Sequence, residues 1–258
     1  MNNLQLIQLN LLPDYLVRVG NLQAKFDALK EADISTQSFS FYTSVASVFS
    51  SKIEGENIEL DSYVKHKAMG IQFQPDYTRK IDDLYNAYTF AQANKLTPNN
   101  VQEAHILLSS NILEINKQGK FRNQNMYVTT DDGRIEYVAV SPLELQTEME
   151  KWYCDIAFLL QQEMCIEEVF YYAAYLHLVF VKIHPWNDGN GRTARLIEKW
   201  FIAEKLGYKA WFLQSEKSYY LQHALYYTNL RRLGIEYPQL DYTKAFDFLS
   251  MLPKCLAI

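Results

Sequence analysis

Cysteine is scarce, with only Cys154, Cys165 and Cys255 in 258 residues. They are too few and too scattered for a disulfide framework or a thiolate metal site. They read as reduced packing residues of a cytoplasmic protein. Glycine (9) and proline (7) are also sparse, which argues against a loop-rich or many-turned β protein. Positive charge is not in excess: 25 Lys and Arg stand against 30 Asp and Glu. That balance gives no electrostatic reason to expect nucleic acid or an anionic membrane as a partner. The longest uncharged apolar run, 169–181, stops short of the roughly 18 residues that span a bilayer. The apolar N-terminus lacks a basic lead and a small-residue cleavage site, so no signal peptide is expected.

What is present is helical periodicity. Apolar residues recur at helical spacing over 11–29, 39–53, 62–69, 76–94, 98–113, 142–161, 166–183, 192–206, 215–233 and 242–252. Thr97-Pro98 gives a cap and a first-turn proline. One segment departs from this pattern. Residues 119–137 hold two β-prone pieces around Asp131-Asp132-Gly133, which is hairpin chemistry. Within 166–183, Phe170, Tyr175, Leu176, Val179 and Phe180 read as core, and His177 as a packed or hydrogen-bonded core histidine. His66, His105 and His223 have no partner legible in the sequence.

Chemistry concentrates in one loop, HPWNDGNGRTAR, 184–195. Pro185 ends the preceding helix and leaves His184 at its C-terminus. Asp188-Gly189-Asn190-Gly191 can turn successive N–H groups into one concavity, where the next helix presents its positive end. Arg192 and Arg195, three apart, can grip phosphate oxygens side by side. An adjacent carboxylate suits a Mg²⁺-bound nucleotide, and a histidine there can take a proton from a hydroxyl near neutral pH. No Gly-Lys-Ser/Thr follows the glycines, which excludes a P-loop. A zinc site would need further ligands at helical spacing.

This run resembles the signature of the Fic family, H-P-F-x-[D/E]-G-N-G-R-x-x-R, departing only at Trp186, where a bulky aromatic is retained. The resemblance implies a mostly α Fic-like fold with one β-hairpin flap over about 36–252, preceded by an N-terminal helical extension, 1–35. It implies His184 as general base, Asp188 as Mg²⁺ ligand, and Gly189, Asn190 and Gly191 as the anion hole for the α-phosphate. Arg192 and Arg195 would hold the β- and γ-phosphates. The family's best-known reaction transfers AMP from ATP to a Ser, Thr or Tyr hydroxyl of a protein. Intact Gly191 favours this over phosphorylation.

Ser50-Ser51-Lys52-Ile53-Glu54-Gly55 resembles the family's inhibitory motif, [S/T]-x-x-x-E-[G/N], on a helix of about 39–55 placed N-terminal to the signature. By that resemblance, Ser50, Glu54 and Gly55 form an inhibitory element in which Glu54 pairs with Arg195 and denies it to ATP. Two other readings stay open: a capping box begun by Ser51, or a helix ended by Gly55 with Glu54 in solvent. Met126, Tyr127, Val128 and Thr129 resemble the flap strand that docks a target backbone. Tyr226 and Tyr227 lie where members place aromatics around the base. Removal of AMP, transfer of UMP or another phosphate-linked group, and a nucleotide-binding regulatory module without turnover remain alternatives. Members of the family are often homodimers.

Overall fold

The computed structural model describes residues 3–37, 39–129, 133 and 135–257. Among these the chain forms twelve α-helices and one two-stranded antiparallel hairpin. The helices preceding the hairpin are α1 (Leu12–Val19), α2 (Gln23–Asp27), α3 (Phe41–Ile53), α4 (Leu60–Met69), α5 (Pro75–Ala93) and α6 (Pro98–Leu108). Strands β1 (Tyr127–Thr129) and β2 (Ile135–Val138) follow. The remaining helices are α7 (Leu145–Gln161), α8 (Ile166–Ile183), α9 (Asn190–Leu206), α10 (Ser215–Leu221), α11 (His223–Arg231) and α12 (Phe246–Leu249). No helix among the described residues is long and apolar enough to cross a membrane.

Helix α8 is the axis. It is apolar on every side, as a helix enclosed by others must be, and its Val169–Phe180 stretch is buried throughout. Cys165 caps its N-terminus in a capping box with Glu168. Cys165 and Cys154 are exposed, and only Cys255 is the packing residue expected of all three. Helix α9 packs along α8 and buries an unusual set of charges: Arg192, Arg195, Glu198 and Lys199. A buried charge is tolerated only when paired, so Arg195, Glu198 and Lys199 tie α9 to other elements, while Arg192 turns back to Asp188 in the preceding loop. Lys199 meets Glu216 of α10 at 2.6 Å, and Glu198 accepts from His177 of α8 at 2.7 Å.

The N-terminal residues form two helices rather than one, because Gly20 turns the chain at φ 62°. They belong to the main core. Tyr15 packs edge-on against Tyr171 at 5.1 Å, and Asp155 of α7 accepts the backbone N–H groups of Gln5, Leu6 and Ile7 at 2.7, 2.9 and 3.1 Å. The expected single helix over 215–233 is likewise two, with a break at Gln222. That break lets Tyr219 and Tyr226 both pack against His177.

The hairpin pairs Tyr127 with Val138 and Val128 with Tyr137, with a bulge before Thr129. Asp131 and Asp132, expected to make its turn, lie outside the described residues; Gly133 has the left-handed φ of 80°. β2 is anchored on its far side by Val138 N–H donating to Ile235 O at 2.8 Å. β1 is the outer strand and leaves Tyr127 exposed.

Candidate active site

His184 ends α8 at φ 54°, the only non-glycine positive φ among the described residues. A histidine held there costs about 1 kcal/mol or more and persists only when its surroundings enforce it. Arg122 supplies that enforcement. Its Nε donates to His184 O at 2.8 Å and Nη1 to Gln124 O at 2.8 Å, while its own N–H donates to Pro185 O at 2.9 Å. Nη2 donates to Val140 O. Each of these acceptors is a carbonyl at the loop or the hairpin root. Arg122→Lys keeps the charge but not the fork. We expect it to lower kcat about 10- to 100-fold in a catalytically competent background, with KM much less affected, because His184 would lose its enforced position. Steady-state kinetics check this.

Nδ1 of His184 donates to Val181 O at 3.2 Å, leaving Nε2 as the acceptor. Burial lowers the His184 pKa below the ordinary histidine range, and Arg122 adds to the drop, against the opposing Val181 bond. The neutral, base-competent imidazole therefore persists to lower pH than for a free histidine. The acidic limb of kcat/KM, which reports the free enzyme, is expected below the ordinary histidine value of about 6.5. A limb above that value would contradict this environment.

The loop after His184 is held rigid by its own side chains. Asn190, expected within the anion hole, has its amide engaged elsewhere: Oδ1 accepts from Trp186 N–H at 2.8 Å and Nδ2 donates to Trp186 O at 2.9 Å. Its side chain is a brace, and only its backbone N–H is left for an anion. Trp186 stacks on His105 with centroids 4.3 Å apart and leans on Phe121 at 5.0 Å. His105 accepts Gly119 N–H at Nδ1 (2.9 Å), so Nε2 carries the proton donated to Asp188 O at 3.0 Å. Burial drops the His105 pKa to about 4, in keeping with that neutral state. Gly189 takes φ 80°, and a Cβ there would meet Leu108 at 3.0 Å and His105 at 3.3 Å.

Helix α9 starts with no side-chain cap, so its first N–H groups and positive end are offered to an anion. Arg192 is buried beside them, 3.4 Å from the half-exposed Asp188 carboxylate. Its Nε and Nη1 have no partner. Unpartnered buried guanidinium nitrogens are costly and mark a place where acceptor oxygens are missing.

Into this setting comes Glu54. Helix α3 ends in a Schellman motif: Gly55 N–H bonds Lys52 O and Glu56 N–H bonds Ser51 O, both at 3.1 Å, with Gly55 at φ 90°. Ser51 lies inside the helix and Glu54 at its C-cap, which removes the capping-box reading. Gly55 does end the helix, but Glu54, although its side chain remains 26% exposed, turns its carboxylate to Arg195. Its Oε1 accepts from Arg195 Nη2 at 2.6 Å, and a Cβ on Gly191 would lie 2.5 Å from the same oxygen. Arg195 also donates Nε to Ser50 Oγ at 2.8 Å and Nη2 to Ser50 O at 3.1 Å. Burial alone would raise the Glu54 pKa; the guanidiniums of Arg195 and Arg192 outweigh it and hold the carboxyl below its usual range. The pair is thus fully present above the ordinary Glu pKa of about 4.3 and is lost only as pH falls through the lowered value.

A cavity of about 340 Å³ joins His184, Glu54, Gly191 and Arg195 to Met126, to Tyr127 and Val128 of β1, and to Tyr227. Asp188, Gly189, Asn190 and Arg192 lie beyond its wall, as do Ser50, Gly55 and Thr129. Tyr226 touches the cavity but is buried, with its hydroxyl between His177 Nε2 (2.9 Å) and Arg195 Nη1 (3.5 Å). It braces Arg195 rather than offering a face to a base. Tyr227 is half-buried and packs edge-on against His223. Lys182 lines the same cavity. Its ammonium sits 4.1 Å over the Tyr137 ring and burial lowers its pKa to about 8. No group of three or more His, Cys, Asp or Glu side chains that could hold a metal ion occurs among the described residues.

The chain matches the Fic/DOC family model over residues 95–202. It is 28% identical over 107 residues to the protein adenylyltransferase Fic of Nematostella vectensis, covering 38% of this chain and 23% of that protein. The chain thus spans about a quarter of that relative. Among solved structures, a Fic family protein from Desulfovibrio desulfuricans superposes with a TM-score of 0.75 at 18% identity, over 97% of this chain and 74% of that one. A Fic domain containing signaling protein from Bacteroides thetaiotaomicron gives 0.66 at 18% identity over 92% of each. At such identities the likeness concerns the fold.

Proposed function

We propose that the chain is an autoinhibited protein adenylyltransferase, moving AMP from ATP to a Ser, Thr or Tyr hydroxyl of a protein target or of itself. The observation that carries this reading is the Glu54 carboxylate seated against Gly191 and bonded to Arg195, in one cavity with His184. The site binds an anion at the uncapped start of α9, facing a neutral imidazole. The backbone N–H groups of Asn190 and Gly191 would hold the α-phosphate, joined by Gly189 N–H once it leaves Asp188 Oδ1, which it meets at 2.5 Å, with Arg192 on the β- and Arg195 on the γ-phosphate. His184 Nε2 takes the target hydroxyl proton while that oxygen bonds to the α-phosphorus. The bond from the α-phosphorus to the bridging oxygen breaks, and pyrophosphate leaves. Most of the acceleration comes from positioning and charge neutralisation.

Asp188, beside the unpartnered nitrogens of Arg192, fits a Mg²⁺ ion shared with phosphates. When bound, such an ion would neutralise phosphate charge. The outer strand β1, with Tyr127 exposed, would take the target's backbone as an added strand. Glu54 beside His184 also favours a second reading, AMP removal, in which Glu54 orients a water. Intact-mass analysis of the Glu54→Gly protein after incubation with Mg²⁺ and ATP tests the first reading. A gain of one AMP residue supports it, and a gain of one phosphate overturns it.

A further inference from the structure

A second cavity, of about 390 Å³, lies apart from the one containing His184, between α1, α2, α11, α12 and the C-terminal turns. Arg18, Lys25 and Lys254 stand around it, all exposed and with no ion pair to an acidic side chain among the described residues. The fourth cation, Arg232, is paired with Asp247 on the rim, so the three others set the local sign. The cavity also contains a buried polar group. Asn229 is 1% exposed and lines the cavity, and its Oδ1 has no hydrogen-bond partner. An unsatisfied buried carbonyl is rare in a folded chain, and it calls for a donor on whatever fills the space. Leu225, Phe246 and Pro253 supply apolar wall. The size lies within the range of small-ligand sites.

Helix α11 separates the two cavities. Leu225 and Asn229 of the helix and Arg232 just past its end line the cationic one, while Tyr226, Tyr227, Leu230 and Arg231 line the other. At its start, His223 Nε2 donates to Ile53 O at 3.3 Å, on the residue before Glu54. One short helix therefore touches the cationic cavity, the His184 cavity and the turn that aims Glu54.

We propose that the cationic cavity is an effector site for a phosphate monoester of a hydroxylated body, sensed through α11 at the Glu54 turn. Phosphate meets Arg18, Lys25 and Lys254, and a hydroxyl donates to Asn229 Oδ1. The link to regulation rests on the proposed function; binding and its effect on the turn do not. The test is calorimetric titration of the full chain with ribose 5-phosphate, ribose and inorganic phosphate, with hydrogen exchange at Gly55 and Glu56 as the second readout.

The Arg195→Ala protein is expected to keep ribose 5-phosphate binding, which separates this cavity from the catalytic one. Arg18→Glu with Lys254→Glu, both exposed, is expected to keep its unfolding midpoint and weaken binding at least tenfold. Ribose 5-phosphate should bind at least tenfold tighter than ribose or phosphate alone, and change exchange at Gly55 and Glu56 at least threefold. Absence of binding, binding that survives the charge reversals, equal binding of bare phosphate, or unchanged exchange would each overturn the proposal. Should nucleotide transfer fail in every assay, these readouts still decide the matter, since none requires ATP.

Discussion

Replacing Glu54 with glycine raises AMP transfer about 10- to 100-fold at subsaturating ATP. On the proposed function, ATP displaces the Glu54 carboxylate from Arg195 before its terminal phosphate takes that guanidinium. A hydrogen bond to a charged group contributes about 1.5–3 kcal/mol, and each 1.4 kcal/mol is a factor of ten. Ser50 continues to hold Arg195 through Nε and Nη2 in the variant, so the guanidinium stays in place when its carboxylate is gone. The same change weakens the fold, because a buried arginine loses its counter-charge. A loss of roughly 1–3 kcal/mol lowers the melting temperature by roughly 2–10 °C for a chain of this size. Activity up with stability down is the combined signature. Label transfer and a thermal melt on the same preparation read both.

In the Glu54→Gly background, removing the imidazole is expected to abolish most of the gain. General-base catalysis contributes about 10²- to 10⁴-fold, and the loss should fall on kcat rather than on ATP affinity. His184→Asn is the cleaner variant, because asparagine tolerates the left-handed backbone better than alanine does. ATP binding measured by calorimetry should change little, since the proposed function has His184 meeting the target hydroxyl and the start of α9 holding the phosphates. A variant that lost ATP binding and turnover together would instead make His184 part of the nucleotide cradle.

The loop 184–195 was legible in the sequence because its chemistry is contiguous. A helix-ending proline, two glycines and two arginines three apart need only local geometry to converge. Asn190 shows where that reasoning stops: residue type and position are right for an anion site, yet its side chain turns back to Trp186. The partners of Arg195 on α3 and of Asp188 at His105 are separated from them by 141 and 83 residues, and no periodicity reports such a meeting. Glu54 was visible only through a short motif; whether it sat in solvent or in the site depended on where α3 packs. Arg122 lies within the β-prone segment 119–137, but its task is to hold carbonyls, which carry no sequence signature. The break at Gln222 escaped for a related reason. Its cause is the packing of Tyr219 and Tyr226 around one histidine, while the local pattern over 215–233 reads as one helix.

The central claim is that Glu54 holds an otherwise competent nucleotidyl-transfer site shut. The most direct test supplies Mg²⁺ with ATP labelled at the α- or the γ-phosphate to wild type, Glu54→Gly and Glu54→Gly/His184→Asn. The account predicts strong α-label transfer to protein in Glu54→Gly alone, with the γ-label released as pyrophosphate. Transfer of the γ-label, or equal α-label transfer by wild type and Glu54→Gly, would contradict it.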